Sequence, residues 1–71
     1  MILAFRVKSG DSFVQGATVT LTGPRSVTRT TDKYGWVSFV VPDGKYRVRV
    51  ECGGKVREFE IDRSGVYVVI L

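Results

Sequence analysis

The stretch Lys45-Tyr46-Arg47-Val48-Arg49-Val50-Glu51-Cys52-Gly53-Gly54-Lys55-Val56-Arg57-Glu58-Phe59-Glu60-Ile61-Asp62 decides the fold. Apolar and charged side chains alternate through its first half, which is the period of an extended strand with one face buried. Gly53-Gly54 offers positive φ at two successive positions, the requirement of a two-residue primed turn, and such a turn sets the register of the strands it joins. With Cys52 opposite Lys55, Tyr46 falls opposite Ile61 and Val48 opposite Phe59 on one face. On the other face Lys45 falls opposite Asp62, Arg47 opposite Glu60 and Arg49 opposite Glu58. A slip of one residue would scramble both sets, so a β-hairpin with this register is expected.

The same period of two extends outward. Leu3, Phe5 and Val7 alternate with Ala4, Arg6 and Lys8, and Val19 and Leu21 alternate with threonines. No window carries a helical stripe. Turn signals fall at short intervals: Ser9-Gly10-Asp11, Gly23-Pro24, Asp32-Lys33-Tyr34-Gly35, Pro42-Asp43-Gly44 and Arg63-Ser64-Gly65. Together they predict about seven strands, near 2–8, 17–22, 26–31, 36–41, 45–52, 55–61 and 66–71. That spacing means an all-β, antiparallel Ig-like sandwich or a small barrel, in one domain spanning residues 1–71.

Composition narrows the function classes. The chain has 71 residues, 44% of them apolar, which predicts a globular fold. The one cysteine, Cys52, excludes an internal disulfide and leaves the compartment open. It is expected to pack inward as a small apolar residue. The chain lacks histidine, so nucleophilic catalysis lacks its usual base. No carboxylate run has calcium-loop spacing and no Cys/His set has zinc spacing, so no metal or cofactor is expected. Glu58 and Glu60 share a face, but each lies opposite an arginine, and an ion pair explains them better than acid/base chemistry. The expectation is a protein that is not an enzyme. Scarce heat-labile side chains, with no asparagine and a single glutamine, Gln15, beside abundant arginine, fit a thermostable chain. The apolar run at the front, Ile2-Leu3-Ala4-Phe5, is too short for a signal-peptide core or a membrane span.

Residues 14–50 carry a further pattern. Gly16-Ala17-Thr18-Val19-Thr20-Leu21 is followed by Thr30-Thr31-Asp32-Lys33-Tyr34-Gly35, Phe39, Pro42-Asp43-Gly44 and Tyr46-Arg47-Val48-Arg49-Val50. In this it resembles carboxypeptidase regulatory-like domains, part of a transthyretin-like (prealbumin-like) group of β-sandwiches that includes the B-type repeats of collagen adhesins. The resemblance implies a sandwich whose first strand neighbours a late one. It also implies a role as stalk, spacer or binding module, and leans towards an extracellular or cell-envelope setting. Adhesin-type relatives promote an internal isopeptide bond with a glutamate four residues after the tyrosine. Here that position is Val50, and Glu51 points outward, so no such crosslink is expected.

Two surfaces stand out. The last strand, Val66-Tyr67-Val68-Val69-Ile70-Leu71, is apolar on both faces, and a sandwich strand covers the core with only one. Tyr67, Val69 and Leu71, extended by Ile2 and Ala4, are the candidate interface for another copy of the chain or another domain. Lysine at Tyr67 or Val69 would then abolish assembly without unfolding the monomer. The alternative is a glycan- or nucleic-acid-binding module. The net charge is +4, and Arg6, Lys8, Arg25, Arg29 and Lys33, with Trp36, are the candidate polyanion contacts. These cations fall on several strands and loops and are expected not to interleave with aromatic rings. Thr18, Thr20, Thr22, Thr28 and Thr30 are expected to form an exposed face explained by β-propensity.

Overall fold

Burial alternates residue by residue over 3–8, 18–22, 36–40 and 46–51, as a pleated layer covered on one side requires. The computed structural model describes all 71 residues as eight strands and no helix. They are β1 (Ile2–Ser9), β2 (Ser12–Phe13), β3 (Thr18–Thr22), β4 (Val27–Thr30), β5 (Trp36–Val40), β6 (Tyr46–Cys52), β7 (Lys55–Ile61) and β8 (Gly65–Ile70). Seven agree with expectation within two residues at either end. The eighth, β2, is only two residues long, and no period can be read from two residues. With no helix, no element is a long apolar helix able to cross a membrane.

Two sheets pack face to face. One runs β4-β3-β6-β7, all antiparallel. The other is centred on β1, which pairs antiparallel with β5 and β2 and parallel with β8. Residues 3–6 of β1 pair with both β5 and β8, and Lys8 pairs with both Phe13 and Ile70. Strand β8 therefore holds one edge of β1, while β5 and β2 lie end to end along the other. The chain's first long strand does neighbour its last. Their pairing is parallel because β8 returns from the far sheet rather than from an adjacent hairpin.

Fourteen buried apolar residues form one core between the sheets, with Leu3, Phe5, Val7, Val19, Leu21, Tyr46, Val48 and Val50 fully enclosed. Phe5 sits at its centre, edge-on to Phe39 and stacked on Tyr67 at 5.6 Å between ring centroids. Tyr46 buries its ring and donates its hydroxyl hydrogen bond to the Pro42 carbonyl at 2.7 Å. Thr31 is the buried polar side chain of the core. Its hydroxyl donates to the Val14 carbonyl at 2.6 Å and accepts from the Ala17 N–H at 3.0 Å. It thereby pins the segment that carries the chain from one sheet to the other, a role that no period revealed.

The β6–β7 hairpin has the expected register, from Tyr46 opposite Ile61 to Cys52 opposite Lys55, with φ of 56° and 82° at Gly53 and Gly54. Of the expected ion pairs, Arg49 with Glu58 forms, at 3.9 Å, and the other two are exchanged. Lys45 reaches Glu60 at 3.6 Å and Arg47 reaches Glu58 at 3.4 Å, while Asp62 turns to Arg63 at 3.5 Å. Long side chains lean along the strand and meet diagonal neighbours as readily as direct ones. The Asp32–Gly35 turn does not close a hairpin: it joins β4 and β5, which belong to different sheets. Asp32 Oδ1 accepts from the N–H groups of Tyr34 and Trp36 at 2.8 and 3.0 Å. Gly35, at φ 81°, lies so close to β1 that a Cβ would meet the Val7 carbonyl oxygen at 2.7 Å.

Candidate functional site

The parallel pairing of β8 with β1 decides which side of the last strand meets the core. Tyr67 lies beside Phe5 and Val69 beside Val7, and both β1 residues point inward. Val69 is 5% exposed, Tyr67 stacks on Phe5 with its hydroxyl donating to the Arg63 carbonyl, and Leu71 packs against the core. The candidate interface of Tyr67, Val69 and Leu71 is thus corrected: these three close the core. The opposite set is outward, with Val66 66%, Val68 60% and Ile70 59% exposed. Both sets are apolar, so alternation alone could not choose between them. Of the expected extension, Ile2 is exposed and Ala4 is half-buried on that same outer face.

The register assembles a surface from residues far apart in the chain. Across the outer face of this sheet, one row reads Val68, Arg6, Trp36 and the next reads Ile70, Lys8, Phe13. Val66, Ala4, Ser38, Ile2 and Val40 occupy the rows toward the far end. Nine large apolar side chains are exposed on the molecule, and seven of them lie here, Tyr34 and Val56 being the exceptions. The outer face of the other sheet carries Thr18 opposite Thr30 and Thr20 opposite Thr28, followed by the ion pairs of the hairpin.

Cations and aromatics do interleave on the apolar face, contrary to the sequence expectation. The Arg6 guanidinium lies 3.5 Å from the Phe13 ring centroid and 5.0 Å from that of Trp36, and its Nε donates to the Tyr34 carbonyl at 3.3 Å. Lys8 Nζ is 5.5 Å from the same Phe13 ring. Strand β2, invisible to the period, brings Phe13 to this cluster. The other candidate polyanion contacts lie apart. Arg29 reaches from β4 to donate to the Ser38 carbonyl at 2.8 Å, Arg25 lines a shallow groove with Val27 and Phe39, and Lys33 sits over Tyr34.

The edges of the sheets differ in what guards them. Leu71 donates its N–H to the Lys8 carbonyl, so the backbone groups of Ile70, Val68 and Val66, alternating with it, point away from β1. Only the Ile70 carbonyl has a partner there, Arg57 Nε at 3.1 Å. Cys52 is half-buried against the core. No group of histidine, cysteine, aspartate and glutamate has the spacing to hold a metal ion.

Neither a family model nor a curated protein matches the chain. Among solved structures, it is similar to a DUF3823 family protein from Parabacteroides merdae, with a TM-score of 0.69 and 15% sequence identity. The match covers 97% of this chain and 43% of that one. The likeness is one of fold: the chain spans less than half the length of that protein.

Proposed function

We propose that the domain is a non-catalytic structural and protein-interaction module, of carboxypeptidase regulatory-like, transthyretin-like type, that self-associates through its last strand. The observation that carries this reading is the free edge of β8. Natural edge strands are short, charged, broken by proline or covered. The edge strand β4 is four residues long and contains Arg29, and β7 carries Lys55, Arg57, Glu58 and Glu60. The middle of β5 is covered by the Arg29 side chain. Strand β8 has six residues, no charge and no proline, and its outward amides at Val66, Val68 and Ile70 lack protein partners.

A second copy fits this edge because the strand is self-complementary. In an antiparallel pair about a two-fold axis, Val68 meets its own counterpart and Val66 meets Ile70. Each is then an apolar cross-strand pair exchanging backbone hydrogen bonds. The resemblance in residues 14–50 supports the module reading, since such domains serve as stalks and binding units. Sedimentation velocity from dilute to millimolar protein tests the proposal, together with amide hydrogen exchange. A concentration-dependent dimer in which the Val66, Val68 and Ile70 amides become protected is expected. Val68→Lys, which would set two lysines face to face at the axis, should leave a folded monomer. A wild type that stays monomeric at millimolar concentration, or a dimer whose edge amides exchange at the monomer rate, overturns the proposal.

A further inference from the structure

The outer face of the β8–β1–β5 sheet is separate from the β8 edge and remains open whether or not that edge pairs. We infer that this face docks an acidic, apolar protein surface, with aliphatic side chains set against Val68, Ile70 and Trp36 and a carboxylate set against each of Arg6 and Lys8. Charge placement is the first argument. Of the seven side-chain carboxylates only Asp32 borders the face, in a groove with Ala4, Trp36 and Ser38. Asp11 sits in the turn after β1, and Asp32 is engaged by the Tyr34 and Trp36 amides. Asp43 is 3.2 Å from the N-terminal ammonium, Asp62 pairs with Arg63, and Glu51, Glu58 and Glu60 lie on the other sheet. Neither Arg6 nor Lys8 has a carboxylate within ion-pair distance, unlike Arg47 and Arg49 on the opposite sheet.

This pattern selects among occupants. A second copy laid face to face would bring two more cations and no free carboxylate to meet Arg6 and Lys8, which is costly once water is excluded. A bare polyanion would satisfy the two cations and leave Ile2, Val40, Val66, Val68 and Ile70 in water. A protein surface holding both apolar and carboxylate groups satisfies every row. Arg6 is prepared for such a contact. The rings of Phe13 and Trp36 and the Tyr34 carbonyl hold its guanidinium in place, so little side-chain freedom is lost on binding, and its terminal N–H groups stay free to fork onto a carboxylate. Arg6 and Lys8 stand two residues apart on one strand, on the order of 7 Å, which matches carboxylates at alternate positions of an extended partner segment.

Trp36 is the only tryptophan and lies beside Arg6, so its fluorescence reports occupancy directly. The experiment titrates dilute, monomeric protein with four probes: a Leu-Glu peptide, built as a β-hairpin with glutamates at alternate positions of one strand and leucines beside them on the same face of the other, a Leu-Lys peptide with lysines in place of those glutamates, polyglutamate and single-stranded oligo(dT). Saturable binding of the Leu-Glu peptide is expected, tighter than any other probe. Lys8→Gln should weaken it by about tenfold, Arg6→Gln with Lys8→Gln should abolish it, and Lys45→Gln on the far side should leave it unchanged. Equal binding of the Leu-Lys peptide, tighter binding of oligo(dT) or polyglutamate, no saturable change with any probe, or an unaltered affinity in Lys8→Gln overturns the inference.

Discussion

The two outer faces of this sandwich are built from the same kind of strand and do opposite things with it. Over β3, β4, β6 and β7, outward positions hold threonines and ion pairs whose members are each about half exposed, a surface already content with water. Over β8, β1 and β5, outward positions hold seven of the nine exposed large apolar side chains and two cations without carboxylates. A monomer gains nothing from that second arrangement. Exposed valine, isoleucine and tryptophan gathered on one face are what the proposed partner would cover.

The sharpest break of the comparison uses adjacent residues of β8. Val69→Lys should unfold the domain, because a small domain has only about 3–5 kcal/mol of stability and an unpaired charge in its core costs more. Circular dichroism should show the loss of strand. Val68→Lys, one residue away but outward, should change monomer stability by less than about 0.5 kcal/mol in urea unfolding. This reverses the expectation first attached to Val69. Thr31→Val comes next. It strands the Val14 carbonyl and the Ala17 amide at the crossing between the sheets and should cost about 1–3 kcal/mol by the same measurement.

Smaller effects separate the two faces themselves. Arg6→Gln removes contacts to two rings and should cost about 0.5–1 kcal/mol, with little response to salt, since a ring rather than a carboxylate holds the guanidinium. Replacing Arg47 with Gln should cost less still, below about 0.5 kcal/mol and fading as salt is added, because its pair with Glu58 is solvent-exposed. If the two substitutions respond to salt alike, the contrast drawn between the faces does not hold.

Much of the fold was legible because strand period, turn glycines and hairpin register are local. The Gly53-Gly54 turn and its seven facing pairs are one instance, and the buried Tyr46 after Pro42-Asp43-Gly44 is another. The proposed contact surface was legible only in part. Strand 66–71 showed itself as apolar on both sides, yet the side assigned to the surface was the one that closes the core. Phe13 was unreadable as part of a strand, so the cluster of Arg6 with Phe13 and Trp36 had no trace in spacing.

The sequence by itself determined the extended segments, their turns, which residues of β1, β3 and β6 face inward, and the pairing of β6 with β7. Each follows from alternation or from a turn of two residues, and a local cause needs no distant partner. Tertiary structure alone decided that β8 lies parallel to β1 with Tyr67 on Phe5, and that Arg6 stands between rings from β2 and β5. When both sides of a strand are equally apolar, burial gains the same free energy either way. Only the register against a neighbour more than fifty residues away distinguishes inside from outside.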